Sequence, residues 1–276
     1  MILKLRRLFS LESPLLRYVA NVTSQFGEDG ILAHIIKVIE PENRFCVEFG
    51  AWDGKHCSNC NTLLKDQGRH GVMIEASEDK FDDLVKTFAR DQNVILINQF
   101  VDFEGDNTLD NILRDCDAPK HFGVLSIDID GNDYYVWESL TEHVPEIVVI
   151  EFNPTVPNDV VFVQEKSFDV NQGCSLLALI ELGKRKGYEL AVCTQINAIF
   201  VRAEKFALLG IQSNFIHHMY TPLRDGRIFH GYDGYVHVTG FNKMMWIDQR
   251  PISSADFQIY TEEERVWSDA VERQDK

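Results

Sequence analysis

The sequence predicts an α/β protein: a seven-stranded sheet, mostly parallel, that ends in an antiparallel hairpin. Three observations predict it. Short apolar runs without polar alternation recur along the chain, the mark of strands buried on both faces. Each of the first five is followed by a segment with apolar residues at helical spacing, and this alternation builds a parallel sheet covered by helices. Then the alternation stops. The last two runs are joined only by Gln195-Ile196-Asn197, a connection that permits a hairpin and is too short for a parallel crossover.

Taken in order, Leu32, Ile35, Ile36 and Ile39 form one helical face that stops at Pro41. Phe45–Phe49 is the first strand, with Glu48 its one acid and Gly50 its stop, and a helical stretch follows over Ser58–Lys65. Gly71–Ile74 is the second strand, ending at Glu75; Ser77 then suits an N-cap for a helix with inner face Phe81, Leu84, Val85 and Phe88. Val94–Ile97 is the third, with Asn107 capping a helix through Leu109, Ile112 and Leu113. Val124–Ile127 is the fourth, running into Asp128-Ile129-Asp130-Gly131 and a helix over Tyr134–Leu140; Ile147–Ile150 is the fifth, ending at Glu151. A helix from Ser175 stops at Gly187, and Glu189–Thr194 and Ala198–Arg202 form the hairpin.

Composition narrows the partners. The chain has 276 residues, 43 acidic against 27 basic, for a net charge of −16. Phosphate backbones repel such a surface, which excludes nucleic acid as the default partner. No apolar run reaches the ~18 residues of a spanning helix. Met1–Phe9 is apolar but interrupted by Lys4, Arg6 and Arg7, a docking helix, a frayed end or a membrane-surface segment rather than a signal peptide. Six cysteines in a chain this long are not a disulfide framework, and the lone Cys57-Ser58-Asn59-Cys60 spacing lacks a second pair. Reduced thiols in a cytoplasmic protein, with membrane-peripheral attachment as the variant, are the expectation. The chain divides into an N-terminal segment 1–23, a domain 24–210 with an insertion at 154–173, and a C-terminal extension 211–276 as a substrate-binding region.

Ligands of open α/β sheets sit beyond the carboxyl ends of the strands. Gly50 lets a ligand approach the backbone after the first strand. Glu75 can accept hydrogen bonds from both hydroxyls of a ribose, and Asn98 or Asp102 can meet an adenine amine. Asp128, Asp130 and Asp133 crowd the end of the fourth strand, while Glu151 and Asn153 end the fifth, an arrangement that asks for a cation or an ammonium group. Asp128 suits an ammonium. Asp130, Glu151 and Asn153 are hard-oxygen ligands that suit Mg2+, and Asp130 or Asp133 capping the next helix is the structural alternative. The aromatic and histidine-rich stretch Ile211–Ile247, with Phe215, Tyr220, Phe229, Tyr232, Phe241 and Trp246, suits a sugar or aromatic acceptor; His217 or His230 is the candidate general base.

The topology resembles that of class I S-adenosylmethionine-dependent methyltransferases. More specifically, Ser24-Gln25-Phe26-Gly27-Glu28-Asp29-Gly30, Val47-Glu48-Phe49-Gly50-Ala51-Trp52-Asp53-Gly54, Ser58-Asn59, Ile74-Glu75 and Leu125-Ser126-Ile127-Asp128-Ile129-Asp130-Gly131-Asn132-Asp133-Tyr134 resemble the FkbM-type methyltransferases over Ser24–Arg202. The resemblance implies O-methylation of hydroxyl groups, often on sugars, with S-adenosylmethionine as donor. It implies that Glu48, Gly50 and Asp53 line the methionine end, Glu75 the ribose and Asp128 the amino group. The insertion at 154–173 lies where such enzymes place substrate-covering loops. The expectation is an O-methyltransferase for a small hydroxylated acceptor, a saccharide, with Mg2+ as a candidate assistant. The alternatives are a non-catalytic carbohydrate-binding protein on the same fold and a metal-dependent hydrolase using Asp128, Asp130 and Glu151.

Overall fold

Seven strands form one sheet in the order β3-β2-β1-β4-β5-β7-β6 in the computed structural model, which describes residues 13–222, 226–240, 242–244 and 250–265. The basic segment Lys4–Arg7, Phe241, Trp246 and the chain beyond Arg265 lie outside the described residues. β1 (Cys46–Phe49), β2 (Gly71–Glu75), β3 (Val94–Asn98), β4 (His121–Ile127) and β5 (Val144–Glu151) run parallel. β7 (Asn197–Arg202) pairs antiparallel with both β5 and β6 (Tyr188–Cys193), so the returning strand of the hairpin inserts between β5 and its own partner. This is the mostly parallel seven-stranded arrangement that the apolar runs predict, with the hairpin turn at 194–196.

Helices cover both faces, as buried parallel strands require. On one face α1 (Glu28–Ile39), α2 (Asn61–Lys65) and α3 (Glu78–Thr87) contribute Ile31, Leu32, Ile35, Leu63, Leu64 and Leu84 to a buried layer. On the other, α4 (Leu109–Asp115), α5 (Asp133–Ser139) and α6 (Leu176–Arg185) contribute Leu109, Leu113, Val136, Trp137, Leu176 and Leu179. Short helices α7 (Ala203–Phe206) and α8 (Ile216–Met219) follow the hairpin. Ile216, Met219 and Tyr220 join the second layer, so the segment up to Thr221 belongs with the sheet.

The local expectations fail where side chains find better partners. The Ser58–Lys65 helix starts only at Asn61, because Ser58, Asn59 and Cys60 turn around the Glu48 carboxylate and donate to it. Ser77 precedes α3 without a side-chain cap; its N–H donates instead to Glu75 at 2.7 Å. Thr108, not Asn107, stands at the N-terminus of α4, while the Asn107 side chain accepts from Gln99. On α3, Leu84 and Phe88 are buried but Val85 is exposed, and β3 is half-buried because it is the sheet's edge. The six cysteines are all free, with Cys46, Cys60, Cys174 and Cys193 buried. No helix among the described residues is long and apolar enough to cross a membrane.

Residues 222–276 form a second unit. Its described part holds the hairpin of β8 (Gly226–His230) and β9 (Val236–Gly240), with Phe229 stacked on His237 at 5.0 Å.

Asp29, at the start of α1, is the polar anchor of the first unit. It accepts from the N–H groups of Val22, Thr23 and Ser24 and from the hydroxyls of Ser24 and Thr62. Burial raises its pKa, but the hydrogen bonds from Ser24, Val22 and Thr23 outweigh burial and hold it below 3.8. A carboxyl depressed in this way stabilises the fold above its ordinary pKa and loses that contribution as the pH falls through the depressed value. Asp29→Asn is therefore expected to lose about 2 kcal/mol at pH 7. In urea melts the loss should shrink progressively as the pH falls from about 4 through the depressed value, below which the folded wild-type carboxyl is itself protonated.

Candidate functional site

The sheet grows outward from β1, with β2 and β3 on one side and β4 and β5 on the other. The connections after β1 and β4 therefore leave for opposite faces, and a crevice opens between them at the strands' carboxyl ends. A cavity of about 340 Å³ lies there, lined by Gly50 and Trp52 after β1, Glu75 at the end of β2, Phe100 and Val101 after β3, and Asp128 and Asp130 after β4. That volume falls in the ~300–1,000 Å³ range of small-molecule sites.

Gly50 brings the two connections together. Its backbone has a φ of +70°, and a Cβ there would lie 1.7 Å from the Asp128 carbonyl oxygen. Only glycine satisfies both conditions. The turn then passes through Trp52, a non-glycine residue at φ +48° that is 47% exposed, with the Lys80 ammonium 4.8 Å above its ring.

Glu75 is fixed from two directions. One carboxylate oxygen accepts from the Trp52 N–H at 2.8 Å and the other from the Ser77 N–H at 2.7 Å. Each oxygen keeps a further lone pair, so a carboxylate that lines the cavity retains two acceptors.

The other end of the cavity is acidic. Carboxylate oxygens of Asp128, Asp130 and Glu151 all lie within 4.8 Å of one another. Burial, with Asp133, Asp130 and Glu48 nearby, pushes the Asp128 carboxyl well above its ordinary range. Burial and the charges of Asp128, Asp133 and Asp130 push Glu151 up to about 10, and burial raises Asp130. Among the described residues no ion pair engages any of the three. Acids this close, without a basic side chain, favour a cation or keep protons.

Of the residues singled out from the sequence, Gly50, Glu75, Asp128 and Asp130 line the cavity, and Glu151 joins them through the acidic group. The others have partners of their own. Glu48 is buried, and its carboxylate accepts from Ser58, Asn59 and Cys60. Asp53 accepts from the N–H groups of Lys55 and His56 and pairs with the His56 ring. Asp102 accepts from the N–H groups of Phe103 and Glu104. The Asn153 side-chain oxygen accepts from Thr155, and its amide donates to the Gln172 carbonyl. Asp133 accepts from the N–H groups of Ile129 and Gly131, which shapes the loop ahead of α5. His217 is an exposed residue of α8 packed beside Phe215, and His230 ends β8 in the second unit; neither lines this cavity.

The sequence reading missed Lys80, Phe100 and Phe168. Phe168 belongs to the insertion at 154–173, so the signal was the segment and not the residue. Trp52 lies within the Val47–Gly54 motif, whose resemblance assigns it no role. Nothing in the sequence marks Lys80, whose place follows from α3 packing over the β1 turn.

No family model matches the sequence, and no curated protein matches it. Solved structures with a similar fold include the CMeT domain of a citrinin polyketide synthase, at 12% identity over 59% of this chain and 47% of that one, TM-score 0.38. The chain thus spans about half of that protein's length. The N-terminal domain of EvdMO1 with SAH bound is 12% identical over 64% of this chain and 81% of its own, TM-score 0.42. A SAM-dependent methyltransferase from Aquifex aeolicus is 12% identical over 72% and 97%, TM-score 0.37. At these identities and TM-scores the likeness is one of fold alone.

Proposed function

We propose that the protein is an S-adenosylmethionine-dependent methyltransferase that acts on a hydroxyl oxygen of a small acceptor, a saccharide. One observation carries the reading: the cavity at the switch point places the paired acceptors of Glu75 at one strand end and the unpaired carboxylate of Asp128 at another. The donor set fits the cofactor. Glu75 has lone pairs for two vicinal ribose hydroxyls, Ile74, Phe100 and Val101 offer apolar walls to a base, and Asp128 suits an ammonium group. An ammonium there relieves the mutual repulsion of the acids.

When bound, the cofactor supplies a methyl group on a sulfonium centre whose departure needs no proton. The protein's contribution is alignment of the acceptor and removal of its hydroxyl proton. Asp130, the most exposed of the three acids, is placed to take that proton, and its raised pKa makes it a better base than an ordinary aspartate. Burial and the neighbouring acids push Glu151 up to about 10, which favours its neutral form over a role as base when no cation is bound. The half-exposed Trp52 lines the same cavity as Asp128 and Asp130, and an indole with carboxylate acceptors is a pairing that suits a sugar ring.

Calorimetric titration with S-adenosylhomocysteine tests the reading. Saturable binding is expected, and no heat at millimolar ligand overturns it. The close approach of the Asp128, Asp130 and Glu151 oxygens favours a second, metal-assisted version, since hard oxygen donors suit Mg2+. That version predicts that millimolar MgCl2 raises the melting temperature of the wild type but not of Asp130→Asn. An unchanged melting temperature in both removes the metal.

A further inference from the structure

The cavity has a wall that the sheet does not supply. With Glu75 at the ribose and Asp128 at the amino group, the base of an adenosyl ligand points away from β4, toward Phe100 and Val101 after β3. On that side the cavity is closed by Phe168, which comes from the connection between β5 and α6. Phe100 and Phe168 are 45% and 44% exposed, yet their rings meet edge to face at 4.6 Å and 69°. Phe168 also stacks on Phe103 at 5.3 Å and 16°. Large apolar rings left half in water at the mouth of a cavity are the informative kind of exposure.

The connection that carries Phe168 is held in place by Gln164, which is only 1% exposed. Its side-chain oxygen accepts from the N–H groups of Gln172 and Gly173, each at 2.8 Å. Its amide donates to Asn132 at 3.0 Å, to the Val170 carbonyl at 3.0 Å and to the Ser167 carbonyl at 3.2 Å. Asn132 completes the link by donating to the Ser167 carbonyl at 2.9 Å. One buried amide thus ties both ends of the segment 164–173 to the loop that also carries Asp128 and Asp130. Such a fully bonded polar group fixes geometry, so the ring is positioned before any ligand arrives.

We propose that Phe168, paired with Phe100, is the wall against which the adenine ring of the cofactor packs, and that Gln164 is the positioning residue that holds it there. The insertion then belongs to the cofactor's half of the site. This inference rests on the adenosyl reading given above and adds a base-recognition residue to it.

The test is calorimetry of S-adenosylhomocysteine and of adenosine on the wild type, Phe168→Ala, Phe168→Trp, Gln164→Ala and the Phe168→Ala/Gln164→Ala double variant. Removing one base–aromatic contact should weaken both ligands by about tenfold in Phe168→Ala, with Phe168→Trp close to wild type. Gln164→Ala should show a similar loss for both ligands, and the double variant no further loss, because the two act through one contact. A purely structural role for Gln164 would make the two losses multiply. Unchanged affinity in Phe168→Ala, or a loss confined to S-adenosylhomocysteine, overturns the assignment while leaving the adenosyl reading intact. If the wild type itself fails to bind S-adenosylhomocysteine, the adenosyl reading falls and this inference with it. Phe168 is half-exposed, so its variants should keep the wild-type circular dichroism spectrum.

Discussion

Replacing Glu75 with glutamine is expected to lower the affinity for S-adenosylhomocysteine by about a hundredfold or more, with the fold retained. The carboxylate already accepts from the Trp52 and Ser77 N–H groups, one on each oxygen. A carboxamide can keep one of these bonds, but its NH2 must then face the other N–H, donor against donor. The side chain will rotate away, and the two acceptors that face the ribose hydroxyls go with it. Hydrogen bonds to a charged group contribute about 1.5–3 kcal/mol each, so losing two gives at least that hundredfold drop. Calorimetry on the variant, with a circular dichroism melt as the fold control, makes the measurement. Affinity within a few-fold of wild type would mean that Glu75 does not hold the ribose.

Gly50→Ala is expected to be the most damaging of the conservative substitutions at the site. A left-handed backbone costs a residue with a Cβ about 1–2 kcal/mol. The Cβ would also sit 1.7 Å from the Asp128 carbonyl oxygen, so the connections after β1 and β4 must move apart. Together these should remove about 4 kcal/mol or more, a fall of roughly 10 °C in melting temperature for a unit of this size. Gly105→Ala supplies the control: its φ is +74°, and nothing lies within 4 Å of its Cβ position. It carries the backbone cost alone. If the two variants melt at the same temperature, the close approach of the two connections is not what Gly50 is for.

The strand–helix alternation and the hairpin were legible because they rest on local chemistry. Unbroken apolar runs such as Val124–Ile127 bury on both faces wherever the sheet places them, and a three-residue link can only turn back. The placement of Glu75 and Asp128 on the cavity was legible for the same reason: each stands at the carboxyl end of a buried strand, where open sheets present their ligands. Acids whose oxygens meet the N–H groups of a turn were not. Glu48 lies on β1 between buried neighbours, but whether its carboxylate meets a ligand or the backbone of Ser58–Cys60 depends on how that turn folds back. Asp53, Asp102 and Asn153 likewise sit in turns whose own N–H groups compete for their oxygens.

The amino-acid sequence by itself determined which stretches become strands and helices, the parallel character of the first five strands, and the acids at their carboxyl ends. Tertiary structure alone decided that β7 inserts between β5 and β6, that Phe168 meets Phe100 across dozens of residues, and that Gln164 ties down the segment 164–173 that carries Phe168. The physical reason is range. Periodicity and capping depend on neighbours in the chain, whereas strand order, cavity walls and the pairing of buried polar groups depend on partners that only the folded chain brings within bonding distance.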